Sequence, residues 1–218
     1  MLRFQGDPAV LQQGCQLCVI FVAKKYKMFY NTRMNNKFYE GPIQTGKSTL
    51  IREFLRETYG RQLKGVAGFT SQRVIDSEGR LLGFCLAPAN AEISAASPDG
   101  EFFKKFGPDG VEVCMDVFEN AGVRFLDEAF AKAKSGEARI ILLDEIGGHE
   151  MACEKFREKL YEILDSPFPC IGVIKMYESA VKMDPSIAAL NAELHKKITG
   201  EDNIEGEIIY YEREASGR

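Results

Sequence analysis

Between positions 50 and 57 the apolar residues Leu50, Ile51, Phe54 and Leu55 recur at helical spacing, with Arg52, Glu53, Arg56 and Glu57 on the other face, until Gly60 stops the run. This predicts an amphipathic helix. The period then changes to two. Val66 to Ile75 and Leu81 to Leu86 read as strands joined by the turn sequence Asp76-Ser77-Glu78-Gly79, which predicts a β-hairpin. Pro88, Pro98, Pro108 and several glycines make 88 to 110 read as an irregular excursion. Val111 to Cys114 reads as a short strand and Phe118 to Lys134 as a helix. Arg139-Ile140-Ile141-Leu142-Leu143-Asp144 is a continuous apolar run closed by an acid, the pattern of a strand buried on both faces of a parallel sheet. Cys153, Phe156, Leu160, Ile163 and Leu164 then mark a helix ending at Asp165-Ser166-Pro167, and Cys170 to Ile174 is a second buried strand. Strand, helix, strand in this order predicts a parallel crossover, hence an α/β fold. A helix from Ser186 to about Lys197 and a strand near Glu207 to Tyr211 complete the pattern.

The chemistry begins where an apolar stretch meets the first helix. Gly41-Pro42-Ile43-Gln44-Thr45-Gly46-Lys47-Ser48 fits GxxxxGK[ST], the phosphate-binding loop of nucleoside-triphosphate enzymes. Its glycines let a tight loop aim backbone N–H groups at phosphate oxygens. Lys47 can then reach the β- and γ-phosphates, and Ser48 gives a hydroxyl to Mg²⁺. The helix beginning near Lys47 adds the positive end of its dipole.

Ligands in open α/β sheets bind beyond the carboxyl ends of the strands, where both this loop and Asp144-Glu145 fall if their strands are parallel. Asp144 is then the expected Mg²⁺ partner alongside Ser48, and Glu145 the group that orients and deprotonates an attacking water. An Asp-Glu pair after a strand is by itself more often a solvated turn; the upstream loop reverses that reading. Glu150 reads as ordinary dipole stabilisation of a helix start. His149 reads as a solvated residue, with substrate contact the lesser alternative.

A chain of 218 residues suits one well-buried α/β domain with a small appendage. The net charge of -4 gives no global field to gather nucleic acid or an anionic membrane. The apolar run Leu17 to Ala23 is too short to span a bilayer and lacks the flanks of a secretory signal, so a cytoplasmic protein is expected. Six scattered cysteines read as reduced thiols. Cys15 and Cys18 form a CxxC with no second half for a metal site. Residues 1–33 look unlike the rest and read as an extension. Met34 or Met28 is a candidate start for a domain covering 34–218, the rival being an added edge strand at 17 to 23.

With loop, hairpin and acidic strand end placed, the chain resembles the small P-loop nucleoside-triphosphatases of thermophiles, also found in animals as cancer-related nucleoside-triphosphatases. The stretches that carry the resemblance are Gly41 to Ile51, Gly68-Phe69-Thr70 with Arg73-Val74, Gly79 to Phe84, Leu142 to Gly147, and Pro169 to Lys175. It covers roughly 35 to 178. It implies a Rossmann-like P-loop fold of the kinase-like group, a three-layer sandwich with a mostly parallel central sheet and an inserted hairpin. It also implies Mg²⁺-dependent hydrolysis of nucleoside triphosphates with broad base tolerance. By position, Gly41, Pro42, Ile43, Gln44, Thr45, Gly46, Lys47, Ser48 and Thr49 hold phosphate, Asp144 serves the metal and Glu145 the water. The extra residues before the first strand and the tail past 178 depart from the pattern.

Two other functions compete. A nucleoside or nucleotide kinase would use the same loop with an arginine-bearing lid; 88 to 110 holds Lys104 and Lys105 but no arginine. Arg73 is the first candidate for a cationic finger, a solvated hairpin arginine being at least as good a reading. A slow nucleotide-dependent switch or chaperone would carry an exposed apolar patch on 1 to 33.

Overall fold

The computed structural model describes residues 36–91, 101–200 and 206–212. The readings of 1 to 33, of Leu17 to Ala23 and of Cys15 and Cys18 fall outside them. Eight strands form one sheet: β1 (Lys37–Glu40), β2 (Val66–Ile75), β3 (Leu81–Pro88), β4 (Glu101–Gly107), β5 (Gly110–Val113), β6 (Ile140–Ile146), β7 (Cys170–Ile174) and β8 (Glu207–Tyr210). Their order is β5-β4-β3-β2-β6-β7-β1-β8. The run from β2 to β8 is parallel, while β2, β3, β4 and β5 pair antiparallel.

Among the described residues five α-helices accompany the sheet: α1 (Lys47–Tyr59), α2 (Val123–Ser135), α3 (Glu154–Leu164), α4 (Tyr177–Val181) and α5 (Pro185–Thr199). Crossovers between parallel strands are right-handed, so the direction of travel across the sheet selects the face. The step from β1 through α1 to β2 runs one way. The steps from β2 to β6, from β6 to β7 and from β7 to β8 run the other way and carry α2, α3 and α5. Helix α1 therefore lies on one face and α2, α3 and α5 on the opposite one, as in the expected sandwich. The latter helices share one core in which Phe69, Phe118 and Phe156 meet at 5.8 and 6.1 Å between ring centroids, inside the range of favourable tilted aromatic pairs.

Three expectations change. Residues 101–110 are not irregular: β4 extends the hairpin and pairs with β5, the short strand expected near Val111, in an antiparallel wing. Pro108 follows β4 rather than interrupting it, and Phe103 of β4 packs against Phe84 and Phe118. The segment after β7 holds the short helix α4, which no periodicity announced. Arg52, expected on the solvent face of α1, is 6% exposed.

The lower edge is tied by Asn36, whose amide donates to Leu164 O at 3.2 Å and whose oxygen accepts the Cys170 N–H at 3.1 Å. That side chain joins the start of β1 to the end of α3 and the start of β7. The carboxyl ends of β1, β6 and β7 consequently open together at the opposite edge.

Candidate functional site

At the end of β1 the chain enters the loop through Gly41, with φ +144°. A Cβ there would lie 2.1 Å from the backbone oxygen of Tyr211, so only glycine lets β8 run alongside the loop. The Tyr211 N–H donates to Glu40 O at 2.7 Å and holds that approach. Gln44 and Gly46 both take left-handed backbone conformations, and Gly46 N-caps α1. These are the two sharp bends that turn a strand into a helix start with its first N–H groups unpaired within the helix. The Lys47 ammonium lies back over the loop, donating to Gly41 O at 2.9 Å and Pro42 O at 2.6 Å. Burial holds its pKa below the ordinary lysine value, with Lys175 pushing the same way and Glu145 and Asp144 opposing.

Ser48 joins this loop to the acidic strand end, its hydroxyl donating to Asp144 Oδ1 at 2.8 Å across 96 positions of sequence. Thr70 of β2 donates to Asp144 Oδ2, also at 2.8 Å, from a buried position. Asp144 is itself buried, and desolvation pushes its pKa up to about 6 despite both hydroxyls and the nearby Arg52. Two neutral donors do not compensate a buried carboxylate. A hydroxyl and a carboxylate at the foot of a phosphate loop are hard oxygen donors, the set a magnesium-sized cation takes. The donor set fits such an ion.

Regular alternation would send Asp144 and Glu145 to opposite faces of the sheet. Instead the register against β7 shifts between Asp144 and Ile146, and Glu145 adopts φ +70°. This bulge re-aims the side chain at the strand end, leaving it 40% exposed. A non-glycine residue there stores strain of about 1–3 kcal/mol, and such strain gathers at functional sites. Glu145 Oε1 is 3.3 Å from the ammonium of Lys175, the residue that follows β7.

The structure brings together Lys47, Ser48, Asp144 and Glu145, and it separates Arg73, which is exposed on β2. His149 is half-buried rather than solvated; burial lowers its pKa, helped by Lys104 and Lys175, with Asp184 opposing. Glu150 is buried and accepts the Gly148 N–H at 2.7 Å, so it shapes the turn after β6 instead of merely complementing a dipole. Burial raises its pKa.

Four residues of the site escaped sequence reasoning as functional groups: Thr70, Arg52, Lys175 and Asn191. Arg52 Nη1 donates to Ala91 O at 3.2 Å while its charge acts on Asp144. A basic residue on a buried helical face, one turn after Ser48, was the available signal for Arg52; Asn191 carried none.

A family model described as NTPase matches residues 37–198. The nucleoside-triphosphatase THEP1 of Aquifex aeolicus is 30% identical over 131 residues, covering 58% of this chain and 69% of that protein. The nucleoside-triphosphatase THEP1 of Thermotoga petrophila is 29% identical over 173 residues, covering 76% and 86%. Among solved structures, the crystal structure of THEP1 from Aquifex aeolicus superposes with a TM-score of 0.52 at 20% identity, over 81% of this chain and 88% of that one. The solution structure of a human cancer-related nucleoside triphosphatase gives 0.50 at 20% identity, over 82% and 88%. The chain thus belongs to the NTPase family and is a P-loop nucleoside-triphosphatase of the THEP1 type.

Proposed function

We propose that this protein hydrolyses nucleoside triphosphates, ATP and GTP among them, to the diphosphate and inorganic phosphate, with Mg²⁺ held by Ser48 and Asp144. The observation that carries the reading is the 2.8 Å bond from Ser48 to Asp144, because it unites the phosphate loop and the acidic strand end in one site. When bound, the cation would neutralise charge on the β- and γ-phosphate oxygens.

The remaining work falls to the chain. Residues Gly41 to Thr49 cradle the phosphates, and Lys47 exchanges the carbonyls of Gly41 and Pro42 for phosphate oxygens. Glu145, half-exposed at the strand end, orients a water and takes its proton. The water oxygen bonds to the terminal phosphorus as the bond to the bridging oxygen breaks, and that electron pair leaves with the diphosphate. Because the transition state is loose, positioning and charge neutralisation supply most of the acceleration.

The catalytic unit is residues 34–218, and the free thiols of Cys85, Cys114, Cys153 and Cys170 suit a cytoplasmic location. No helix among the described residues is long and apolar enough to cross a membrane. The test is phosphate release from ATP, GTP, CTP and UTP with and without Mg²⁺, repeated with nucleosides and nucleoside monophosphates present. Acceptor-independent, Mg²⁺-dependent release is expected; release only with an acceptor would make the protein a kinase.

A further inference from the structure

We propose that Lys175 is a second cation that meets the terminal phosphoryl group during hydrolysis, and that Asn191 is the residue that positions it. The inference rests on the hydrolase reading above and adds a charge which that reading leaves unassigned.

Topology supplies the first argument. Strand β7 lies between β1, which feeds the phosphate loop, and β6, which ends in Asp144 and Glu145. Whatever residue leaves β7 emerges between the two halves of the site, and that residue is Lys175. Its N–H donates to Ile146 O at 2.8 Å, fixing its backbone against the end of β6. Its ammonium has three donors. Glu145 accepts one at 3.3 Å, and no other partner is found among the described residues. The side chain is 21% exposed, so solvent reaches it beside Glu145 at the strand end. Its charge also reaches the Lys47 ammonium. Two ammonium groups within each other's field at a strand edge are suited to a polyanion such as a triphosphate.

Asn191 supplies the second argument. It is wholly buried on α5, and its amide nitrogen donates both hydrogens, to Gly147 O at 3.0 Å and to Lys175 O at 2.9 Å. Both partners are carbonyls, which fixes the orientation of the amide. One side chain thus staples the loop after Glu145 to the loop of Lys175. A Cβ at Gly147 would come 2.6 Å from that nitrogen, so the amide's seat requires glycine there. The amide oxygen has no partner among the described residues. A buried acceptor left unpaired is unfavourable, which argues that the amide is retained for the two bonds it donates.

The bland alternative makes Lys175 only a counterion for Glu145. A transition-state mimic separates the two readings. On the full chain with Mg²⁺, one measures affinity for a nucleoside diphosphate with aluminium fluoride, affinity for a non-hydrolysable imido-triphosphate, and turnover. Lys175→Met should lower kcat and fluoride-complex affinity by roughly 10²–10³-fold, the cost of losing one oriented transition-state donor. Imido-triphosphate affinity should stay within about threefold, as interactions made mainly in the transition state require. Lys175→Arg should recover part of the loss, and the penalty of Lys175→Met should persist in a Glu145→Gln background. Asn191→Leu should lower the same two quantities by about tenfold without changing imido-triphosphate affinity. Lys175 is part-exposed, so its variants stay informative even where Asn191→Leu unfolds.

Parent-level fluoride affinity in Lys175→Met, or a penalty that vanishes with Glu145→Gln, would overturn the inference alone. A parent protein that neither hydrolyses triphosphates nor binds the fluoride complex overturns the hydrolase reading with it.

Discussion

Thr70→Val probes Asp144, the proposed metal acid, without touching the phosphate loop. Valine replaces the hydroxyl by a methyl of similar size at a position that is 2% exposed, so the main change is loss of the 2.8 Å bond to Asp144 Oδ2. A hydrogen bond to a charged group contributes about 1.5–3 kcal/mol. Ser48 holds the other oxygen of Asp144, but in the mechanism proposed above its hydroxyl would turn to the cation when the metal–nucleotide complex binds. Thr70 is then the hydroxyl left to orient the carboxylate, and the full value of its bond applies in the working state. At 1.4 kcal/mol per decade this predicts a fall in kcat/KM of roughly 10- to 150-fold and a higher Mg²⁺ requirement. Thr70→Ser should keep the hydroxyl and most of the activity. The assay is initial-rate phosphate release over a Mg²⁺ titration, with thermal melts to verify folding. Should folded Thr70→Val show the parent kcat/KM and Mg²⁺ dependence, Asp144 does not need Thr70, and its place as metal acid loses its support.

Lys47→Ala should cut nucleotide affinity or turnover sharply while leaving the fold intact, since its bonds are to loop carbonyls; near-normal hydrolysis by the folded variant refutes the role. Glu145→Gln should lower kcat in single turnover with nucleotide affinity close to unchanged, whereas Asp144→Asn should weaken Mg²⁺-dependent binding as well; equal profiles for the two variants would contradict the division of labour. Removal of residues 1–33 should leave kcat/KM within about threefold, and an insoluble or inactive product would show that the catalytic unit begins earlier. Burial pushes the Cys170 thiol up to about 12, so at pH 8 it stays protonated; alkylation read by peptide mass should leave Cys170 unmodified in native protein and modify it in denaturant.

What was legible in the sequence was what repeats or is chemically singular. Helix α1, the hairpin turn, and strands β6 and β7 follow from periodicity and from continuous apolar runs. The phosphate loop follows from the glycines and lysine its geometry demands. Strand β4 was obscured because three prolines and several glycines made 88 to 110 read as a broken segment, whereas β5 was legible as the short run from Val111. In the fold β4 packs through Phe103 against Phe84 of β3 and Phe118, partners far enough along the chain that no local pattern shows them. Helix α4 has five residues, too few to display a period.

The site divides along the same line, and the division has a physical cause. Lys47, Ser48, Asp144 and Glu145 each sit in a local pattern dense enough to recognise. Thr70, Lys175 and Asn191 act only through partners far along the chain: Thr70 lies 74 positions from Asp144, and Asn191 lies 44 from Gly147. Their positions are created by strand order, because inserting β7 between β1 and β6 is what places a lysine between the loop and the acids. The same insertion permits the bulge at Glu145, since the register with β7 absorbs the extra residue. A strained glutamate holds its place only when surrounding bonds over-determine it. Here those bonds are the Lys175 N–H on Ile146 O and the Asn191 amide on Gly147 O, on the two residues that follow Glu145. The last described helix thereby completes a site whose phosphate loop and acidic strand end both lie before residue 150.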